Sequence, residues 1–126
     1  MNFFDKYKKT PFIIAEIGSN YDQNYSKLKE LIVKSKEAGA SAVKIQMFDS
    51  FALYPNKKSI NYKIFKSVEF NKLWFSKIQK FCKKIGIELF ASSFDKKSTE
   101  FLIKNKVNIL KLASSEVEKL DDIIFA

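Results

Sequence analysis

The sequence has 126 residues, of which 46% are hydrophobic and 29% charged, with a formal net charge of +9. That size suits one domain with one core, and that balance excludes a disordered chain. No apolar run reaches the ~18 residues of a membrane span, and a single cysteine, Cys82, excludes a disulfide framework.

The first residues, Met1-Asn2-Phe3-Phe4-Asp5-Lys6, lack the basic-then-apolar order of a signal peptide, so a cytoplasmic location is expected. All 23 basic residues are lysine, spread along the chain in pairs such as Lys57-Lys58, Lys83-Lys84 and Lys96-Lys97. Duplex base readout leans on arginine forks. Neither a nucleic acid nor a membrane is therefore expected as a partner.

Residues 1–10 are polar, carry no period and are taken as an N-terminal extension. Pro11 then introduces a buried-strand pattern over 12–18, with proline tolerated at its entrance. Leu28, Leu31, Ile32, Ser35 and Ala38 follow at helical spacing, and Gly39 is placed to end that helix in a left-handed conformation. Residues 42–46 read as a second strand, in which Lys44 and Gln46 face away from Val43 and Ile45. A lysine within a buried strand is costly unless something anionic meets it. Residues 48–70 read as a long irregular connection; loops of more than about 15 residues in a compact domain are usually functional.

Trp74, Ile78, Phe81, Cys82 and Ile85 predict a second helix ended by Gly86, which makes Cys82 a small core residue. Residues 87–91 predict a third strand with 92–95 as its exit loop. A short helix over 98–104 follows, with Asn105 standing where the earlier helices have glycine. Residues 109–112 predict a fourth strand, 113–116 its exit, and a further helix begins near Leu120. Strands alternating with helices predict an α/β fold with a parallel sheet. Four such units are half of a (β/α)8 barrel or a small open sheet, and without closure they leave two open edges.

The polar oddities recur at the strand exits: Glu16 at the first, Lys44 and Gln46 at the second, Ser92 and Ser93 at the third, and Lys111, Ser114, Ser115 and Glu116 at the fourth. In a parallel sheet these exits lie on one side, where α/β proteins bind ligands. Ammonium groups, hydroxyls and backbone amides suit a phosphate and a carboxylate, and the glutamates offer acid–base or hydroxyl-binding capacity. Each residue also has a plainer reading. Glu16 can be a surface charge, Lys44 can snorkel to solvent, Ser92 and Ser93 can be turn or cap residues, and Glu116 can be a first-turn helix acid. Recurrence at four successive exits favours an anionic small-molecule site, and an enzyme.

Four segments in order, Ala15-Glu16-Ile17-Gly18-Ser19-Asn20, Val43-Lys44-Ile45-Gln46, Phe90-Ala91-Ser92-Ser93-Phe94-Asp95 and Lys111-Leu112-Ala113-Ser114-Ser115-Glu116, resemble the N-terminal part of the N-acetylneuraminate (sialic acid) synthase family. The resemblance implies that residues 11–126 form the N-terminal half of a TIM barrel, about its first four units. The second half and a C-terminal antifreeze-like domain would be absent. It implies condensation of phosphoenolpyruvate with an N-acetylated hexosamine-type sugar to a nonulosonic acid, with release of phosphate, in carbohydrate biosynthesis. A divalent metal, manganese or magnesium, would assist, with ligands outside this chain, and the full-length form would be a homodimer.

By the same resemblance, Lys44 and Lys111 would hold phosphoenolpyruvate, and Ser92 and Ser114 would hydrogen-bond its phosphate. Glu16 and Gln46 would contact the sugar, and Glu116 would handle a proton. The sequence departs from the family at Tyr21, where histidine is usual, at Ser92-Ser93, where threonine and proline are usual, and at Ser115, where glycine is common. The 126 residues alone are expected to be an inactive fragment. The alternatives are another phosphoenolpyruvate-using sugar-acid synthase or aldolase, or a non-catalytic half-barrel that assembles with a second half.

Overall fold

Val43, Ile45 and Met47 alternate with Lys44 and Gln46 along one strand, and this alternation sets the architecture. The computed structural model describes Asp5 and residues 10–126, so the N-terminal extension expected over 1–10 lies almost wholly outside the described residues. Four strands, β1 (Ile14–Gly18), β2 (Ala42–Met47), β3 (Glu88–Ser93) and β4 (Leu110–Leu112), form one sheet in the order β1-β2-β3-β4. Every neighbouring pair is parallel, as the alternation of strands and helices predicts.

Helix α1 (Tyr25–Glu37) joins β1 to β2. The Asn24 side chain accepts from the Lys27 amide at its start, and Gly39 just past its end has φ +89°. Helix α4 (Phe75–Ile85) precedes β3 and ends at Gly86, with φ +74°. Helix α5 (Lys96–Lys104) is capped by Asp95, which accepts from the Ser98 amide. At its end Asn105 keeps φ −85°, and Lys106 takes the left-handed position at φ +53°, so the expected role of Asn105 falls one residue later. The chain closes with α6 (Leu120–Phe125).

Two further expectations are corrected. Residues 48–70 are not irregular: they hold α2 (Ser50–Leu53) and α3 (Ile60–Val68), started by Asp49 and Ser59. Both caps are a short polar side chain before an apolar run, which Pro55 and Lys57-Lys58 obscure in the sequence. Ser92 and Ser93 are not an exit loop either, because β3 runs through both, paired with Gln46 and Met47 of β2.

One face of the sheet carries the core. Val43, Ile45, Met47, Leu89 and Ala91 pack against Leu28 and Ile32 of α1, Phe75, Ile78 and Cys82 of α4, and Leu102 of α5. None of these is more than 4% exposed. Each large aliphatic or aromatic side chain buried this way stabilises the fold by about 1.5–3 kcal/mol. Tyr21, where the resembling family has histidine, is 1% exposed and meets Phe70 and Trp74 edge to face. Here that position serves packing, and burial pushes the phenol above its ordinary pKa.

Candidate active site

Residues paired across a parallel sheet point to the same face, so the register places the polar side chains. Glu16 pairs with Lys44, and Lys44 with Phe90. Two residues further on, Gln46 pairs with Ser92, and Ser92 with Lys111. All six therefore share the face opposite the helix-packed core. The candidate residues on the strands lie on the body of this inner face, rather than only in the loops beyond it.

Three of them touch. The Lys44 ammonium lies 2.5 Å from Glu16 Oε2 and donates to Ser92 Oγ at 3.0 Å. Its side chain is 18% exposed, against 47% for that of Glu16, so the cation is largely enclosed while its carboxylate partner reaches solvent. Such a carboxylate can be exchanged for a bound anion, because water already reaches about half of its side chain.

Gly18 supplies the space beside them. A bulge falls between Glu16 and Gly18, and Gly18 has φ +57°. A Cβ there would stand 3.4 Å from Glu16 Oε1 and 4.0 Å from the Gln46 amide carbon. The left-handed backbone, rather than the clearance, is what favours glycine there. Gln46 Oε1 in turn lies 3.4 Å from Ser19 Oγ, a long contact from the first turn after β1.

The fourth exit is arranged differently. Lys111 shares the row of Ser92, but it is exposed and its ammonium donates to the Leu112 carbonyl at 2.6 Å. Ser114 is exposed at the start of a single 3-10 turn, Ser114–Glu116. Glu116 is only 6% exposed. Ser115 Oγ donates to its Oε1 at 3.3 Å, and Lys119 Nζ lies 2.5 Å from its Oε2 without hydrogen-bond geometry. Lys119 also reaches the Phe94 carbonyl at 3.4 Å, which ties the exit of β4 to that of β3. Ser115 needs no left-handed backbone here, and Ser93, where the resembling family has proline, instead shares a buried 3.0 Å hydrogen bond with Thr99.

Sequence reasoning missed three carboxylates that shape the rim. Asp95 accepts from the Asp49 amide at 2.8 Å, and Asp49 accepts from the Phe51 and Ala52 amides. Glu69 accepts from the Ser50 amide at 2.9 Å, from the Ser50 hydroxyl and from Lys66. These bonds pin the start of the 48–70 excursion to the β3 exit and to the end of α3. The Ala52 amide leads in holding the Asp49 carboxyl below its ordinary pKa. Burial pushes Glu69 up, but its bonds from Ser50 and Lys66 outweigh this and leave it below its ordinary value. The signal for Asp49 was its place before Ser50-Phe51-Ala52; the other two partners lie too far away in sequence to be read.

Among the described residues, no group of three or more His, Cys, Asp or Glu side chains could hold a metal ion. These residues do not by themselves fit the divalent metal that the resemblance implies. Among the described residues, no helix is long and apolar enough to cross a membrane.

Comparison with known proteins adds four findings. A family model described as NeuB family matches residues 31–124. The N,N'-diacetyllegionaminic acid synthase of Legionella pneumophila is 32% identical over 121 residues, covering 86% of this chain and 34% of that protein. Among solved structures, the N-acetylneuraminic acid (sialic acid) synthetase of Leptospira borgpetersenii in complex with citrate superposes with a TM-score of 0.80 at 29% identity, covering 87% of this chain and 38% of that one. The spore coat polysaccharide biosynthesis protein SpsE of Bacillus subtilis superposes with a TM-score of 0.74 at 30% identity, covering 90% and 32%. The chain thus spans about a third of the length of these relatives, and its four β/α units correspond to part of their TIM barrels.

Proposed function

We propose a function from one premise: this chain belongs to the NeuB family. Its relatives are sialic-acid-type synthases, so the class is a synthase acting in carbohydrate biosynthesis. Our reading is that this part of the barrel holds phosphoenolpyruvate for condensation with an N-acetylated hexosamine-type sugar, with one water consumed, giving a nonulosonic acid and phosphate. The methylene carbon of the enol phosphate is the nucleophile and the aldehyde carbon of the sugar the electrophile.

The observation that carries this reading is the enclosed Lys44 ammonium, fixed by Ser92 Oγ and Glu16 on the sheet face opposite the helices. An anionic substrate would take the place of Glu16 at Lys44. Ser92, already oriented by Lys44, would then meet the phosphate. Lys111, one strand over in the same row, would swing from the Leu112 carbonyl to the second negative group. Released from Lys44, Glu16 would accept from a sugar hydroxyl beside the Gln46 amide. Ser114 would add a hydroxyl at the rim, and Glu116, which burial shields from water, would handle the proton. A divalent metal held by groups outside this chain would polarise the aldehyde.

The test is titration of the chain with phosphoenolpyruvate, followed by amide chemical shifts. Shifts should centre on residues 16, 44, 46, 92 and 111 and vanish in Lys44→Met. An equal response to sulfate, or shifts confined to the helices, would refute the reading. A whole-barrel protein carrying this chain should consume phosphoenolpyruvate and sugar one to one.

A further inference from the structure

The seam between β2 and β3, the two central strands, is held again beyond its last paired residues. The strands pair as far as Met47 and Ser93. Carried two residues further, that register sets Asp49 against Asp95, and both keep extended backbones. There a side chain takes the place of a rung: Asp95 Oδ2 accepts from the Asp49 amide at 2.8 Å. We propose that Asp95 is a positioning residue for the substrate site. It locks the exits of β2 and β3 together, and so holds Lys44 of one strand and Ser92 of the other at the spacing a bound anion needs. This rests on the substrate reading above.

Three observations separate this role from plain helix capping. First, a cap needs one oxygen, and Asp95 uses two. Oδ1 accepts from the Ser98 amide at 2.9 Å and starts α5. Oδ2 accepts from Ser98 Oγ at 2.8 Å and from the Asp49 amide, 46 residues away. An ionised carboxylate only accepts, and has lone pairs for all three donors. Second, the tie stands next to the site. Lys44 donates to Ser92 across the same seam at 3.0 Å, so a slip of the two exits lengthens that contact. Phe48 and Phe94, one residue inside the tie, meet edge to face with ring centroids 6.2 Å apart, so the seam is packed there as well as bonded.

Third, the footing of the tie is buried. Ser98 is 0% and Thr99 2% exposed, and Thr99 Oγ1 donates at 3.0 Å to the hydroxyl of Ser93, the residue after Ser92. Side chains fixed by buried partners keep one arrangement, and a site fixed in advance binds without first having to order itself.

The test compares Asp95→Ser with the parent chain. Serine ranks with aspartate as a cap, so α5 keeps its start, but the second oxygen that reaches Asp49 is gone. Phosphoenolpyruvate and sulfate are each titrated and followed by amide shifts. Phosphoenolpyruvate must meet Lys44 and Ser92 together, whereas sulfate is a compact ion that Lys44 alone can attract. The dissociation constant should rise about tenfold for phosphoenolpyruvate, the scale of one hydrogen bond to a charged group, and less than about twofold for sulfate. Equal losses for both anions, or no loss, would reduce Asp95 to a helix cap and overturn the proposal.

A second measurement needs no variant. Coupling is reciprocal, so a tie that favours binding must itself be favoured by bound phosphoenolpyruvate. Hydrogen exchange at the Asp49 amide should slow about fivefold or more on binding, while exchange at the Lys27 amide, bonded to the Asn24 side chain, stays as it was. An Asp49 amide indifferent to phosphoenolpyruvate would overturn the proposal whether or not Asp95→Ser folds. Failure of the substrate reading looks different, because the parent chain then binds no phosphoenolpyruvate. Positioning is then read in the free protein, where Asp95→Ser should shift the Lys44 Nζ and Ser92 Cβ resonances. If those stand still, Asp95 positions nothing.

Discussion

The two faces of the sheet are built from the same strands and do different work. On the helix side Val43, Ile45, Met47, Leu89 and Ala91 are sealed against three helices. On the inner side Glu16, Lys44, Gln46, Ser92 and Lys111 present charges, an amide and a hydroxyl. Strand alternation lets one residue carry the fold while its neighbour carries a ligand, because the two never share a face. Mutations on the two faces should therefore separate stability from binding.

The largest effect is expected on the helix side. Ile45→Ala should cost about 2–5 kcal/mol, because the site is fully buried and a cavity is left behind. A urea titration reads this, and a loss below ~1 kcal/mol would mean that this face is not the core. Gly18→Ala comes next, since it should damage both properties. A left-handed backbone costs a non-glycine residue about 1–2 kcal/mol, and the new Cβ comes into contact with Glu16 Oε1. Phosphoenolpyruvate binding should fall along with the urea midpoint.

The rim has its own dependence on pH. The carboxyls of Asp49 and Glu69 lie below their ordinary values in the folded chain. Their stabilisation is present above the unfolded values near ~4 and is lost as pH falls through the lower folded values. Thermal unfolding between about pH 5 and 3 should show this loss, and Glu69→Gln should flatten it. If the parent and Glu69→Gln fall in parallel, the loss comes from other carboxyls.

The smallest stability effect is expected inside. Lys44→Met should shift stability by less than ~1 kcal/mol, because its partner Glu16 is half exposed, yet it should abolish anion binding. A large stability loss would mean that Lys44 is structural. Cys82 is a silent control: burial pushes its thiol to about 12, so Ellman's reagent at pH 8 should label it only in denaturant.

Much of the fold was legible in the sequence because its signals are local. Gly39 and Gly86 end their helices, and the spacing of Leu28 and Ile32 or of Ile78 and Cys82 marks the faces they bury. The 48–70 segment misled because its caps, Asp49 and Ser59, start helices too short to show a period. At the site, motif order picked out Lys44, Ser92 and Glu16, which the fold brings into contact. The ties of Asp95 to Asp49 and of Glu69 to Ser50 were invisible because they span 46 and 19 residues.

The sequence by itself determined that strands and helices alternate, which residues of each strand share a face, and where helices end, since periodicity and backbone preference act over a few residues. Only the tertiary structure decided which carboxylate meets which amide, and that Lys44 is enclosed while Lys111 lies open. Those outcomes depend on register and packing between segments far apart in the chain, which no local pattern encodes.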